Sequence, residues 1–264
     1  MTRLVHISDL HFGRDRPELL RPLLEAIDRA GPDLVCVSGD LTQRARPGQF
    51  RAARRFLDLL PMPWIAVPGN HDTPLDNPLL RFARPWSRWR RYLSRQTEPE
   101  WRGADCVVAG LNTADPKAWQ RGRLAGRGLS RIRGALSEAR ETGRTGLVMM
   151  HHPPEQLEGD RKRPMKGARR GLHRLSEMGA DVVLCGHLHV WRARPARQSA
   201  GLLILQVGTG LSTRGRGEPN DFNVMDIDAE GLALDRYGAG ARETGFTRLS
   251  AHRFRKENGL WQSL

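Results

Sequence analysis

Short apolar runs of strand length recur along the chain, at residues 4–8, 34–38, 64–67, 106–111, 147–150, 182–185 and 202–207. Most are continuous rather than alternating, the pattern of strands covered on both faces. Between the early runs, helical patterns cover 17–30, with Pro17 suited to a first turn and Gly31 to a stop, and 49–60; later ones cover 130–140 and 168–178. Strand alternating with helix predicts an α/β sandwich. Near the end, 223–228 and 232–237 around Ala229-Glu230-Gly231 predict a hairpin that closes a sheet edge.

Polar motifs close these runs: Asp9-Leu10-His11, Gly39-Asp40, Gly69-Asn70-His71-Asp72, His151-His152-Pro153 and Gly186-His187-Leu188-His189, which hold six of the nine histidines. Each has an ordinary explanation alone. Asp9 could cap a loop, Asp40 could start a turn, Gly69-Asn70 is a turn signal, and His187 with His189 could be surface or satisfied core residues. All five nevertheless fall at strand ends, where open α/β sheets build ligand sites. Carboxylates, imidazoles and an Asn amide without thiolate suit manganese, iron, zinc or nickel, so a site for two divalent ions is expected. Alternation would put Asp9 and His11 on one side of an extended segment, with Asp40 reaching from the next strand to bridge to a second ion. His187 and His189 repeat the spacing, one for each ion.

At 264 residues, one α/β domain spanning 1–264 is expected. Cys36, Cys106 and Cys185 lie in apolar runs, an odd and buried set that argues against a disulfide framework. No apolar stretch reaches the length of a bilayer span and the amino terminus has no secretory core, so the expected location is the cytoplasm. The net charge of +14 would suit a polyanionic partner, but 39 of the 43 basic residues are arginine, spread along the chain. A solvated arginine-rich surface is the simpler reading.

The motif set resembles the calcineurin-like metallophosphoesterase superfamily, which shares the order Asp-x-His, Gly-Asp, Gly-Asn-His-Asp/Glu, His and Gly-His-x-His. The resemblance implies a four-layer α/β/β/α sandwich. It also implies one ion held by Asp9, His11, Asp40 and His189, and another by Asp40, Asn70, His151 and His187. His152 stands as the alternative to His151, or as a residue behind it. His71 is similar to the family's catalytic histidine that binds no metal, and Asp72 either orients an imidazole or is a turn residue before Thr73-Pro74. A hydroxide shared by the two ions would attack phosphorus in line, with His71 stabilising the transition state or protonating the leaving oxygen. Two divalent ions, two carboxylates and a hydroxide leave one net positive charge, which tilts the expectation toward monoanionic diesters.

Three segments could face substrate. Residues 73–105 carry Trp86, Trp89, Tyr92 and Trp101 among arginines, and read either as a cap that stacks on a base or touches an anionic lipid, or as an amphipathic helix packed on the body. Residues 154–170 hold Arg161, Lys162, Arg163, Lys166, Arg169 and Arg170. A third, from Gly208 to Asn223, offers Arg214 as a phosphate contact beside Asn70 and His71. With Asn112-Thr113 and the chain length, it resembles the bacterial class III cyclic-nucleotide phosphodiesterases. The leading expectation is therefore a dinuclear phosphodiesterase acting on a small, cyclic-nucleotide-like diester, with a dimer as a plausible assembly. A nuclease and a phospholipid or nucleotide-lipid hydrolase are alternatives within the enzyme class. An arginine-rich nucleic-acid-binding protein with a vestigial site is the alternative outside it.

Overall fold

The apolar runs assemble into two sheets in the computed structural model, which describes residues 1–264 except Arg161 and Arg216. The first sheet contains β1 (Thr2–Ile7), β2 (Leu34–Val37), β3 (Trp64–Ala66), β10 (Asn220–Ile227), β11 (Leu232–Ala239), β12 (Thr247–Glu257) and β13 (Leu260–Ser263), in the order β13-β12-β11-β10-β1-β2-β3. The second contains β4 (Glu100–Arg102), β5 (Cys106–Leu111), β6 (Thr145–Met150), β7 (Val182–Cys185), β8 (Arg192–Ala196) and β9 (Ser199–Gln206), in the order β4-β5-β6-β7-β9-β8. Strands β1, β2 and β3 run parallel, as do β5, β6, β7 and β9.

Continuous apolar runs follow from this layering. Along β1, Leu4 faces the other sheet while Val5 and Ile7 face helices α1 (Leu20–Ala30) and α2 (Pro47–Asp58). Along β6, Leu147 and Met149 point between the sheets, and Val148 and Met150 point to α5 (Gly126–Glu141) and α6 (Ala168–Glu177). Three apolar layers thus lie between four layers of structure, the expected α/β/β/α sandwich. Pro17 opens a short 3₁₀ turn that feeds α1, and Gly31 ends α1 in the left-handed conformation with φ of 57°.

Two expectations change. The hairpin β10–β11 does not close an edge, because β10 pairs antiparallel with β1 while β11 continues to β12 and β13. The tail is therefore part of the sheet, and its Trp261 is buried between the layers with its indole N–H on the Asp181 carbonyl at 2.9 Å. Its polar alternation, RLSAHRFRKE, gave no continuous apolar run to recognise. Residues 73–105 form two short helices, α3 (Pro78–Ala83) and α4 (Ser87–Tyr92), rather than one long one. Trp89 is fully buried against Phe50, and Tyr92 stacks on the same ring, so these aromatics pack on the body.

Candidate metal centre

All five polar motifs converge at the carboxyl ends of β1, β2 and β3 from one sheet and β6 and β7 from the other. Cross-sheet hydrogen bonds fix the junction. The His187 amide donates to Asp9 Oδ2 at 2.9 Å, and His151 Nδ1 lies 2.8 Å from the Ser38 carbonyl. Two motif glycines permit this closeness. A Cβ on Gly69 would sit 2.1 Å from Asp40 Oδ1, and one on Gly186 would sit 2.0 Å from Ser8 Oγ and 2.4 Å from Asp9 Oδ2.

The local backbone differs from the expected extended segments. Among the described residues seven non-glycine positions have positive φ, and five of these are Asp9, His11, Asp40, His187 and His189, between 50° and 72°. β1 ends at Ile7 and β7 at Cys185, so the paired side chains are aimed by left-handed loop residues and not by strand alternation. Backbone strain of this kind costs about 1–3 kcal/mol per residue and persists where surrounding contacts enforce it, commonly at functional sites.

Each aspartate divides its carboxylate. Asp9 Oδ2 accepts from Ser8 Oγ and the His187 amide, and Asp40 Oδ1 accepts from the His71 amide at 2.8 Å. The other oxygens, Asp9 Oδ1 and Asp40 Oδ2, are buried with no hydrogen-bond partner, and so is Asn70 Oδ1. Around Asp9 Oδ1 lie His189 Nε2 at 3.1 Å and His11 Nε2 at 3.4 Å. Asp40 Oδ2 faces both sides, 3.7 Å from His11 Nε2 and 3.2 Å from His151 Nε2, which in turn is 3.2 Å from His187 Nδ1. Donors about 2.0–2.2 Å from one ion stand roughly 3–3.5 Å apart, so these separations match two adjacent coordination spheres that share Asp40. The Nδ1 atoms of His151 and His189 bond the carbonyls of Ser38 and Arg214, which leaves each Nε2 lone pair directed inward. The residues thus fit a pair of divalent cations.

Charge follows the same pattern. Burial pushes the Asp9 and Asp40 carboxyls up, but the surrounding imidazoles, chiefly His189 for Asp9 and His151 for Asp40, more than offset it and hold both well below the usual range. Burial pushes His11 and His187 down, toward the neutral imidazole a cation requires, whereas at His151 burial is outweighed by the Asp40 charge, which raises it to about 9, so a cation beside it would have to displace a proton.

The neighbours of this cluster have separate duties. His152 is occupied on both nitrogens, by Thr113 Oγ1 at 2.9 Å and the Gln120 carbonyl at 3.1 Å, and stands behind His151. His71 donates from Nδ1 to the Gln43 carbonyl and accepts at Nε2 from Arg214 Nη1 at 2.9 Å. Burial and nearby His11 and Arg214 pull its pKa down to about 4 against the attraction of Asp40. Of the two readings of Asp72, its contacts follow the structural one: among the described residues it has no hydrogen bond to an imidazole, and it accepts from the amides of Leu41, Thr42 and Gly69 and from Thr42 Oγ1, tying together the loops that carry Asp40 and Asn70. Burial and the nearby Asp40 charge raise its pKa to about 7. Of the basic cluster at 154–170, Arg161 lies outside the described residues, Lys162 donates to the His187 carbonyl, and Arg163, Lys166, Arg169 and Arg170 are exposed. Sequence reasoning missed the carbonyls of Ser38 and Gln43 as anchors, because a backbone acceptor leaves no trace in side-chain identity. It also missed buried Arg81 as a clamp, since nothing distinguished it from its arginine neighbours.

A profile of the calcineurin-like phosphoesterase family matches residues 2–191, a span that contains every one of these motifs. The chain belongs to that family. Among relatives of this calcineurin-like phosphoesterase is a protein of Enterobacter lignolyticus named glycerophosphodiester phosphodiesterase GpdQ, 28% identical over 207 residues, 70% of each chain. Another, from Synechococcus, is named "Probable cyclic nucleotide phosphodiesterase" and is 29% identical over 199 residues, 70% of this chain and 72% of that one. Solved structures share the fold. A Danio rerio dimetal phosphatase aligns with TM-score 0.64 at 13% identity, covering 94% of this chain and 98% of that one. A purple acid phosphatase from yellow lupin aligns at TM-score 0.68 and 14% identity, and this chain spans 51% of its length. The family resemblance read from the motifs and the sandwich it implied are thus both found.

Proposed function

We propose that this phosphoesterase is a dinuclear phosphodiesterase, with Asp9, His11, Asp40 and His189 holding one ion and Asp40, Asn70, His151 and His187 the other. The observation that carries this reading is the pair of buried, unpartnered oxygens on Asp9 and Asp40 facing the inward-directed imidazole nitrogens, with Asn70 Oδ1 likewise buried and unpartnered. Such oxygens cost free energy unless a cation satisfies them. Bound manganese, iron, zinc or nickel would supply Lewis acidity and a water acidified toward neutral pH.

The chain's own groups account for the rest. Asp40, whose Oδ2 lies between His11 and His151, would be the residue common to both ion positions. Arg214 lies beside His71 and supplies a positive charge for a phosphoryl oxygen. His71 keeps its Nδ1–H on Gln43 and faces Arg214 with an Nε2 lone pair, so once Arg214 turns to substrate Nε2 can take a proton from solvent and pass it to the leaving-group oxygen. Asn70 borders the same space. The diester preference rests on the site's small net positive charge and on two relatives named as phosphodiesterases. A cyclic nucleotide or another small diester fits this reading, and a cytoplasmic location accords with it.

The test pairs elemental analysis with turnover of bis(p-nitrophenyl) phosphate, using p-nitrophenyl phosphate as the monoester control. Two ions per chain and faster turnover of the diester are expected. Asp40→Ala should lose both ions and His189→Ala one, each abolishing turnover while the folded circular dichroism spectrum remains. Wild-type turnover in both variants rejects the site, and steep salt-dependent nucleic-acid binding without hydrolysis under any divalent ion points to the binding-protein alternative.

A further inference from the structure

We infer that the face built from α3 and the loop after β5 docks on an anionic lipid bilayer. Among the described residues, three of the eight exposed large apolar side chains lie here: Leu79 at 79% exposure, Phe82 at 62% and Trp119 at 68%. Leu79 and Phe82 are three apart in α3 and share one side of that helix. Trp119 belongs to the neighbouring loop, and a single buried side chain joins the two. Arg81 donates from Nε to the Pro116 carbonyl and from Nη2 to the Ala118 carbonyl, both at 2.8 Å, and from Nη1 to Thr73 Oγ1 at 2.6 Å. The apolar side chains are thereby presented by a clamped edge and not by a loose loop.

Charge selects the occupant. Residues 73–97 and 112–123 contain nine Arg and Lys but two Asp and Glu, and both acids are already paired, Asp76 with Arg88 at 2.7 Å and Asp115 with Arg123 at 3.2 Å. Arg84, at the end of α3, and Lys117, two residues before Trp119, are exposed and stand in no ion pair among the described residues. A second copy of this chain would bring the same excess of positive charge to the contact, whereas an anionic headgroup layer neutralises it while the three apolar side chains enter the acyl boundary. A tryptophan beside arginines is suited to that boundary, where an apolar ring meets a polar layer. The same two segments reach the metal centre, through Thr73 Oγ1 on the Asn70 carbonyl and the Gln120 carbonyl on His152, so docking would bring its mouth close to the lipid.

Co-sedimentation with phosphatidylcholine vesicles, with and without phosphatidylglycerol, tests this on the full chain. The wild type should pellet with the anionic vesicles at low salt, and release as salt rises. The triple variant L79S/F82S/W119S should bind at least about tenfold more weakly, since each side chain removes a buried apolar contact. R84S/K117S should weaken binding with the apolar residues intact, and L59S, at an exposed leucine elsewhere, should leave it unchanged. The inference fails if the wild type stays in the supernatant at low salt or if the triple variant pellets as well as the wild type. It also fails if light scattering shows the triple substitution splitting a dimer with no vesicle binding in either protein. The assay reads binding without turnover, so these outcomes are separate from those that test hydrolysis.

Discussion

Asp9 and Asp40 each give one oxygen to the protein and leave the other buried without a hydrogen-bond partner, and the residues beside them hold that division. Gly69 is the most sensitive of these, because a methyl group there meets Asp40 Oδ1 at 2.1 Å and the Asp40 amide at 2.4 Å. Gly69→Ala should therefore reduce bound metal below two ions per chain, measured by elemental analysis after gel filtration; full occupancy would show that the loop can yield. His71 makes the opposite prediction. It contributes a backbone amide to Asp40, which any residue supplies, so His71→Ala should keep two ions while kcat falls by about 10²–10⁴-fold, the usual worth of a positioned acid or base. The thiols have no part in this chemistry. Burial pushes Cys106 up to about 12 and raises Cys36 and Cys185 further, so all three should stay inert to a thiol reagent until the protein unfolds.

Elements matter here through what they clamp. α3 is short and would have little stability alone. The guanidinium of Arg81, only 6% exposed, holds it against Thr73 and the carbonyls of Pro116 and Ala118. Arg81→Ala should leave these buried acceptors unpaired and destabilise the fold by about 1–3 kcal/mol, read by urea denaturation. A loss within experimental error would mean that water or Lys117 replaces the clamp. The helices α3 and α4 were hard to read because their packing is irregular: Trp89 goes inward while Leu79 and Phe82 go outward, which breaks a single amphipathic stripe. β12 was hidden for a related reason. It lies beyond the inter-sheet core over most of its length, so its residues alternate polar with small and only Phe254 and Trp261 of the final hairpin mark where it packs.

Across the whole molecule the candidate site sits on a seam between two sheets, so cations held there would bind only the folded chain. Removing them should lower thermal stability. At a free-ion concentration about a hundredfold above Kd, each ion adds about 2.7 kcal/mol and two add about 5.4 kcal/mol, which corresponds to a drop of roughly 10–20 °C in Tm on chelation for a chain of this size. An unchanged melting curve with excess chelator, compared with manganese-loaded protein, would count against ions stabilising the seam. No helix among the described residues is long and apolar enough to cross a membrane.

The order of apolar runs and the identity of the donors were legible in the primary structure. Strands buried on both faces are apolar throughout, and the side chains that can bind a divalent cation are few, so carboxylates, imidazoles and an amide gathered at strand ends stand out whatever the surrounding fold. The folded chain alone decided how those donors meet. His151 and Ser38 are 113 residues apart and His187 and Asp9 are 178 apart, yet each pair is hydrogen-bonded. The turns that aim Asp9, His11, Asp40, His187 and His189 are left-handed, a conformation that Asp and His tolerate better than most side chains but that local sequence does not impose, and the packed junction of two sheets holds it.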